Sequence, residues 1–534
     1  MAGHRHAAPP LRLALGLAVF VLIWAGVPLS SGGLAVGRHE GDTLHLVDIV
    51  LRMAHAGQQP HIDFMTPLGL LGLWPIVLFS KAGFGIGHAF LAAQALLAAV
   101  LFGPVLRVAT SRFAGGWAWL FAGYVMVLCL ALVHGEAGPV NSISMHYNRW
   151  AWALTYIAVP LAMLEPLGPR RPVLDGALIG LAMVGLALLK ATYFVALAPA
   201  VLLALLLRRD LRAAGIAVLA GLVVMGVLTL LLGPGYWVAY LHDLLAVAHS
   251  STRAAPGLSF EGVLTDPAYI LGTLTALAGV VLLRRAGRMH EGLVLLALVP
   301  GLSFITYQNF GNDPQWLILL GLLAFALRPG TAQANGLAMV GVIALSLGSA
   351  SAINMALSPF RKAPENALPL LAMRPGDRDL LAPGPRMYQV VKTRVDVTTD
   401  GPYARYSENA KWPEPAVLNG EPLPECELTS GYIAFLETTA RDLQEAGFGG
   451  SGILVTDLLS PLWLYGDFRP LKGAAPWHYD GAPGLEGADH VLVPLCASSK
   501  LRRRDILKAI TAAGWHLIEE RRTPDYVLLK PVRD

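Results

Sequence analysis

The sequence predicts an all-α polytopic membrane bundle of about 11 to 13 transmembrane helices, followed by a smaller extracytoplasmic α/β domain. Three observations carry this. Hydrophobic residues make up 55% of the 534-residue chain and charged residues 14%, against about 25% charged in a soluble domain; the mean hydropathy is +0.54. Short arginine-rich turns recur between long apolar runs. From Ser358 onward Pro, Gly and charged residues become frequent, and no apolar run is long enough to span. The chain divides accordingly into residues 1–357, a membrane domain whose first external loop covers 31–66, and residues 358–534. The net charge of +4 lies in short loops, which suits membrane orientation and disfavours nucleic acid as a partner.

Leu11–Pro28 is introduced by His4, Arg5 and Arg12, its flank lacks a convincing small-x-small cleavage site and more spans follow, so it reads as a retained first transmembrane helix. Further apolar runs cover Pro67–Ser80, Ile86–Leu106, Gly116–Val133, Trp150–Leu164, Val173–Leu189, Ala191–Leu207 and Ala213–Leu232. Pro267–Leu283, Gly292–Thr306, Trp316–Leu327 and Ala334–Ile353 complete the series. Basic residues cluster at Arg107/Arg112, Arg170/Arg171, Arg208/Arg209/Arg212, Arg284/Arg285/Arg288 and Arg328, whereas the intervening loops hold few. Basic turns face the cytoplasm, so the loops at 135–149, 233–266 and 307–315 face outward. One conflict stands. Two full crossings between the first external loop and Arg107 would put Arg107 outside, so either Pro67–Ser80 stops short or that turn breaks the rule.

In the second domain Ile453–Thr456, Val491–Pro494 and Tyr526–Lys530 read as strands and Arg503–Ala513 as an amphipathic helix. The stretch from Lys411 to Pro424 reads as an irregular, Pro-rich excursion. Of three cysteines, Cys129 lies in an apolar run. Cys426 and Cys496 lie in the second domain, where an oxidising compartment would allow them to pair.

The polar island from Arg38 to Gly69 separates two apolar runs and is rich in carboxylates and histidines. Glu40 and Asp42 follow the first span, a helical pattern runs from Thr43 to Ala56, and His61-Ile62-Asp63-Phe64-Met65-Thr66-Pro67-Leu68-Gly69 closes the loop. Carboxylates this near lipid are costly to desolvate and mark a functional site. An acidic pair, a helix and a closing Asp-Phe-x-x-Pro-x-Gly resemble the first external loop of the polytopic GT-C glycosyltransferases, such as protein mannosyltransferases and aminoarabinose transferases. The likeness covers the membrane half, from Leu11 to Ile353. A strict Asp-x-Asp is absent, and Thr66-Pro67 stands where the family often has Pro-Pro.

The resemblance implies a polyprenyl-phosphate sugar as donor, inverting transfer on the outer face of the cytoplasmic membrane, and a glycan, lipid or protein of the envelope as acceptor. Such transfer needs a carboxylate to activate a hydroxyl and positive or polar groups for the leaving phosphate. Asp42 is then the general base, Glu40 an alternate base or metal ligand, and Asp63 a second carboxylate that orients the acceptor or holds a metal. The structural alternatives are an N-cap for Asp42 and a turn cap for Asp63. His45, His55 and His61 crowd the same loop, His61 being a candidate substrate contact. A divalent cation, magnesium or manganese, would favour Glu40 and Asp63 over the histidines.

Tyr147, Asn148 and Arg149 head a span, where they would clamp a phosphate through Arg149 or anchor the helix at headgroup depth. Lys190, between two apolar runs, either snorkels or binds the donor phosphate. Asn309, Asn312 and Asp313 suit hydroxyl recognition; alternatively Asp313-Pro314 starts the next helix. Tyr236, Trp237, Tyr240 and His242 read as an interfacial belt. Asp457, Asp467 and the ring cluster Trp477, His478, Tyr479 are candidates for ligand contact or core packing in the second domain. The absence of a Gly-rich phosphate loop argues against nucleotide hydrolysis. A transporter or flippase of lipid-linked saccharides is the rival class, but it needs ionisable or broken-helix sites at mid-membrane, and here the polar residues gather at the ends of spans.

Overall fold

The computed structural model describes residues 10–253, 260–308, 313–328, 333–394 and 415–533. Within them seven helices are long and apolar enough to cross a membrane: Pro10–Leu29, Ile86–Arg112, Pro172–Leu189, Leu211–Leu232, Pro267–Arg285, Met289–Gln308 and Ala334–Leu357. Three shorter apolar helices, Gly116–Leu130, Ala191–Leu207 and Trp316–Ala326, accompany them, and every residue of His146–Met163 is buried. Lipid offers the backbone no hydrogen-bond partner, so each apolar run satisfies its own amides by coiling. Small residues let the helices approach. A Cβ on Gly180 would lie 2.2 Å from the Ala217 carbonyl oxygen, so the contact of Pro172–Leu189 with Leu211–Leu232 requires glycine there.

The basic turns close on one another at one end of the bundle. Arg107 Nε and Arg112 Nη2 donate to the two oxygens of Asp175 at 2.9 and 2.7 Å. Arg208 Nη1 donates to the carbonyls of Leu161 and Ala162 at 3.0 and 2.9 Å. Of the two alternatives at Pro67–Ser80, the structure has the run stopping short. A 3₁₀ turn at Leu70–Gly72 precedes a helix of 8 residues, Trp74–Lys81, which is about 12 Å long against a hydrocarbon core of about 30 Å. Pro67, Gly69 and Gly72 keep the preceding chain irregular. Ile86–Arg112 alone therefore leads from the first loop to the basic end, and Arg107 obeys the charge rule.

The second domain sits at the opposite end. Its four-stranded sheet runs in the order Trp515–Arg522, Tyr526–Arg533, His490–Pro494, Ile453–Val455. The last two strands are parallel and the other pairings antiparallel. The Tyr432–Glu445 and Lys500–Ala512 helices accompany the sheet, and Cys426 and Cys496 form a disulfide with 4.9 Å between their Cα atoms. The Trp515–Arg522 strand is mostly exposed and carries two Glu and two Arg, the pattern of a sheet edge guarded against further pairing.

This domain is tied to the bundle by backbone as well as side chains. Leu34 and Ala35 from the first loop pair in parallel with Leu380 and Leu381. Asp377 and Asp379 cap the free amides of Ile86, Gly87 and His88 at 3.2, 3.0 and 2.7 Å, which also places negative charge at the positive end of that helix. A single hydrophobic cluster runs from the membrane helices through the first loop to Leu436, Trp463 and Leu528.

Candidate functional site

The loop helix spans Glu40–Ala54, starting earlier than the apolar pattern suggested. Its N-cap is His39, held at φ 61° with Nδ1 3.0 Å from Ser142 Oγ. Asp42 is therefore the third helical residue and not the N-cap. It lines a cleft of about 400 Å³ between the first turn of this helix and the second domain. The cleft is shared by Glu40 and Asp42 from the loop with Arg386, Tyr432, Trp477 and Ser498. Arg386 makes a two-pronged ion pair with Glu40, its Nη2 lying 3.0 Å from Oε2.

Further along the helix, Asp48 and Arg52 are buried and paired at 2.6 Å. Trp463 Nε1 donates to the same Asp48 oxygen at 2.7 Å, and Arg52 Nη1 reaches the Leu471 carbonyl at 2.7 Å. Burial pushes the Asp48 carboxyl above the usual carboxylate range, against the opposing pull of Arg52 and Trp463. The helical pattern from Thr43 to Ala56 does not by itself single out this pair. The available signal was an Asp and an Arg four residues apart in the middle of it.

Asp63 lies elsewhere. It accepts from the Gln59 amide at 2.8 Å and pairs with Lys472 at 3.3 Å, closing a turn that docks on the second domain through Gly473 N to Asp63 O at 2.6 Å. His61, with φ 69°, is buried; its Nδ1 meets Asp243 Oδ2 at 2.8 Å. The same oxygen accepts from the Thr66 amide at 3.0 Å. Tyr236 and Tyr240, expected as an interfacial belt, pack their rings 5.3 and 4.6 Å from that of His61. Both belong to the Gly235–His249 helix, within the stretch 233–266 expected as an outward loop. Asp243 had no local signal, since its partner is 182 residues away. The three loop histidines diverge: His45 faces the Trp477 ring at 5.5 Å, His55 meets Ser80, and His61 meets Asp243. Glu40 and Asp63, the carboxylates expected to take a cation, likewise face different partners. Among the described residues no three His, Cys, Asp or Glu side chains converge as a metal site.

A second polar set forms at the break between Pro172–Leu189 and Ala191–Leu207. Lys190 is extended there, its Nζ 3.3 Å from Asn148 Oδ1 and 5.5 Å from the Tyr147 ring centroid. Asn148 Nδ2 and the Tyr193 hydroxyl are buried without a hydrogen-bond partner among the described residues. Lys190, Tyr147 and Asn148 are thus brought together, but Arg149 is not among them: its guanidinium holds the carbonyls of Val133 and Ala131. The loop motif rests on this break. Gly69 N donates to Leu189 O at 3.1 Å, and a Cβ on Gly69 would lie 2.1 Å from Leu188 O, so the approach requires glycine. Beside it an almost wholly apolar groove of about 820 Å³ runs between Pro172–Leu189, Ala191–Leu207 and Leu211–Leu232, lined by Ala187, Phe194, Leu202, Val218 and Leu222 among others.

Asn309 and Asn312 lie outside the described residues. Asp313 does not start the next helix, whose N-cap is Gln315; its amide bonds Gly135 O at 3.1 Å. Burial, with Asp266 and Glu136 nearby, pushes the Asp313 carboxyl up to about 6, against a lowering hydrogen bond from Ser351. In the second domain Asp457 is buried and bonds Ser498 N, Ser498 Oγ, Ser499 N and Leu458 N at 2.7 to 3.0 Å. It organises the turn that starts the Lys500–Ala512 helix. Trp477 is half-buried in the cleft, whereas His478 and Tyr479 are buried.

No protein-family model and no curated protein matches the chain. Among solved structures it is similar to two cryo-EM structures of the arabinofuranosyltransferase AftD from mycobacteria, the second of a mutant form. Identities are 12% and 13%, the TM-score is 0.39 for both, and the matches cover 99% of this chain but 40% and 42% of those chains. The chain thus spans about two fifths of the length of the structures it matches.

Proposed function

We propose that this protein is an integral-membrane glycosyltransferase that moves a sugar from a polyprenyl-phosphate donor to an envelope acceptor on the outer face of the cytoplasmic membrane. The observation that carries the reading is the junction at Gly69. There the loop that bears Asp42 is seated on the Lys190 break, so an acidic cleft and a cation belong to one end of the bundle, beside an apolar groove that runs along the helices. Two independent features support the sidedness. The arginine-rich turns mark the other end as cytoplasmic, and the Cys426–Cys496 disulfide suits an oxidising compartment for the second domain.

In this mechanism Asp42 takes the proton of the acceptor hydroxyl as its oxygen attacks the anomeric carbon. The bond from that carbon to the phosphate oxygen breaks, and polyprenyl phosphate leaves with the electron pair. A single displacement inverts the anomeric centre. Lys190, with Asn148 Nδ2 and the Tyr193 hydroxyl, stabilises the charge that gathers on the leaving phosphate, and the prenyl chain lies along the apolar groove. Glu40, held by Arg386, fixes the electrostatics beside Asp42.

The test is release of polyprenyl phosphate from a panel of radiolabelled polyprenyl-phosphate sugars by membranes carrying the full chain. The expected result is turnover of at least one donor, with Lys190→Met raising the donor KM and leaving the acceptor KM unchanged. No turnover across the panel would move the transporter reading ahead.

A further inference from the structure

The cleft at Asp42 has a composition that a donor phosphate does not explain. Two carboxylates and one guanidinium, from Glu40, Asp42 and Arg386, give it a net negative charge, so it repels an anion. Its walls add two aromatic rings, Tyr432 and Trp477, and the hydroxyls of Thr429, Ser430 and Ser498. Its volume of about 400 Å³ falls in the range of small-molecule sites, about 300–1,000 Å³. Apolar ring faces beside hydroxyl and charged hydrogen-bonding groups match a saccharide, which presents C–H faces to rings and hydroxyls to carboxylates and guanidinium groups.

Trp477 is placed for that task by the fold rather than used by it. Its backbone bridges to Leu459, the first turn of the loop helix lies across the cleft, and His45 packs against the ring edge-on at 5.5 Å. Trp477 is half-buried; its Nε1, itself buried, has no hydrogen-bond partner among the described residues, so what it offers the cleft is ring surface. The other large indole nearby, Trp463, is buried and donates to Asp48, which is the structural use that Trp477 lacks.

We infer that this cleft is a subsite for a neutral saccharide, the acceptor, with the Trp477 ring as its platform and Arg386 and Asp42 as its hydrogen-bonding partners. The second domain thereby contributes half of the acceptor site. The assignment to the acceptor rests on the glycosyltransferase reading; the saccharide subsite itself does not. It divides the substrates by charge: the neutral acceptor occupies the acidic cleft, and the phosphate of the donor stays at Lys190.

The experiment is equilibrium binding of fluorescently labelled linear arabino-, manno- and gluco-oligosaccharides to the full chain in detergent micelles, for wild type, Trp477→Ala, Trp477→Phe and Asp42→Asn. Thermal melting of each variant checks folding. Saturable binding of at least one series is expected, weakened at least tenfold by Trp477→Ala and largely restored in Trp477→Phe. Asp42→Asn, which removes one hydrogen-bonding carboxylate from the cleft, is expected to weaken binding several-fold as well. If no series binds, or if folded Trp477→Ala binds like the wild type, the subsite is overturned. Binding without any donor turnover would uphold the subsite and sink the glycosyltransferase reading. Donor turnover whose acceptor KM ignores Trp477 would do the reverse.

Discussion

Arg386 of the second domain grips Glu40 on the first turn of the loop helix, two residues before Asp42, across 346 residues of sequence. The pair joins the two halves of the chain at the rim of the cleft. Arg386 is largely exposed, so the pair adds at most about 1 kcal/mol to stability. Its effect is on placement and charge at the cleft. Arg386→Ala is therefore expected to leave the melting temperature within a few degrees of wild type while lowering turnover about tenfold. A variant with equal turnover would show that the pair is incidental.

Asp48 and Arg52 behave differently because both are buried, with side chains 1% and 2% exposed. Removing one partner strands the other charge away from water, at a cost of about 3–5 kcal/mol. Arg52→Ala is expected to lower the thermal midpoint steeply and to expose the boundary between the loop and the second domain to protease. An unchanged melting curve and protease pattern would contradict the role of this pair as the rivet between the two.

Asp313 sets a pH dependence. Its folded-state pKa, about 6, lies above the ordinary carboxylate value of 3.8, so folding favours the protonated form. The stability tied to that proton is complete below about pH 3.8 and is lost as pH rises through about 6. At 1.36 kcal/mol per unit the penalty above pH 7 is about 3 kcal/mol at most. Asp313→Asn, which keeps the neutral shape, is expected to gain in thermal midpoint over wild type between pH 4 and 7 and to hold a constant advantage above that. Parallel pH profiles for the two proteins would refute the assignment.

Much of the architecture was legible because lipid imposes a strong local rule. Runs such as Ile86–Leu106 and Ala334–Ile353 declare themselves by composition, and the strands at 453–455, 490–494 and 526–533 by their short apolar runs. Hydropathy failed at Pro67–Ser80, where an apolar run stays irregular through Pro67, Gly69 and Gly72 and only its end coils. It also failed at Trp515–Arg522, a charged edge strand whose ladder bonds, not its side chains, make it a strand. The candidate site was legible only in its local parts. Glu40 and Asp42 were visible as carboxylates beside a span, and Lys190 as a lone cation between two. Their partners were not. Asp243 with His61, Arg386 with Glu40 and Trp463 with Asp48 are separated by 182, 346 and 415 residues, and no periodicity records a contact of that range. Arg149 shows the converse: a charge at the head of a span was spent on the carbonyls of Ala131 and Val133, which its neighbours in sequence did not announce.

The central claim is that Asp42 is the base. Its most direct test is donor turnover by Asp42→Asn in membranes that carry folded protein at the wild-type level. General-base catalysis contributes about 10²–10⁴-fold, so the account predicts a fall of that size in the turnover rate with little change in the donor KM. A folded Asp42→Asn protein that consumes donor at the wild-type rate would contradict it.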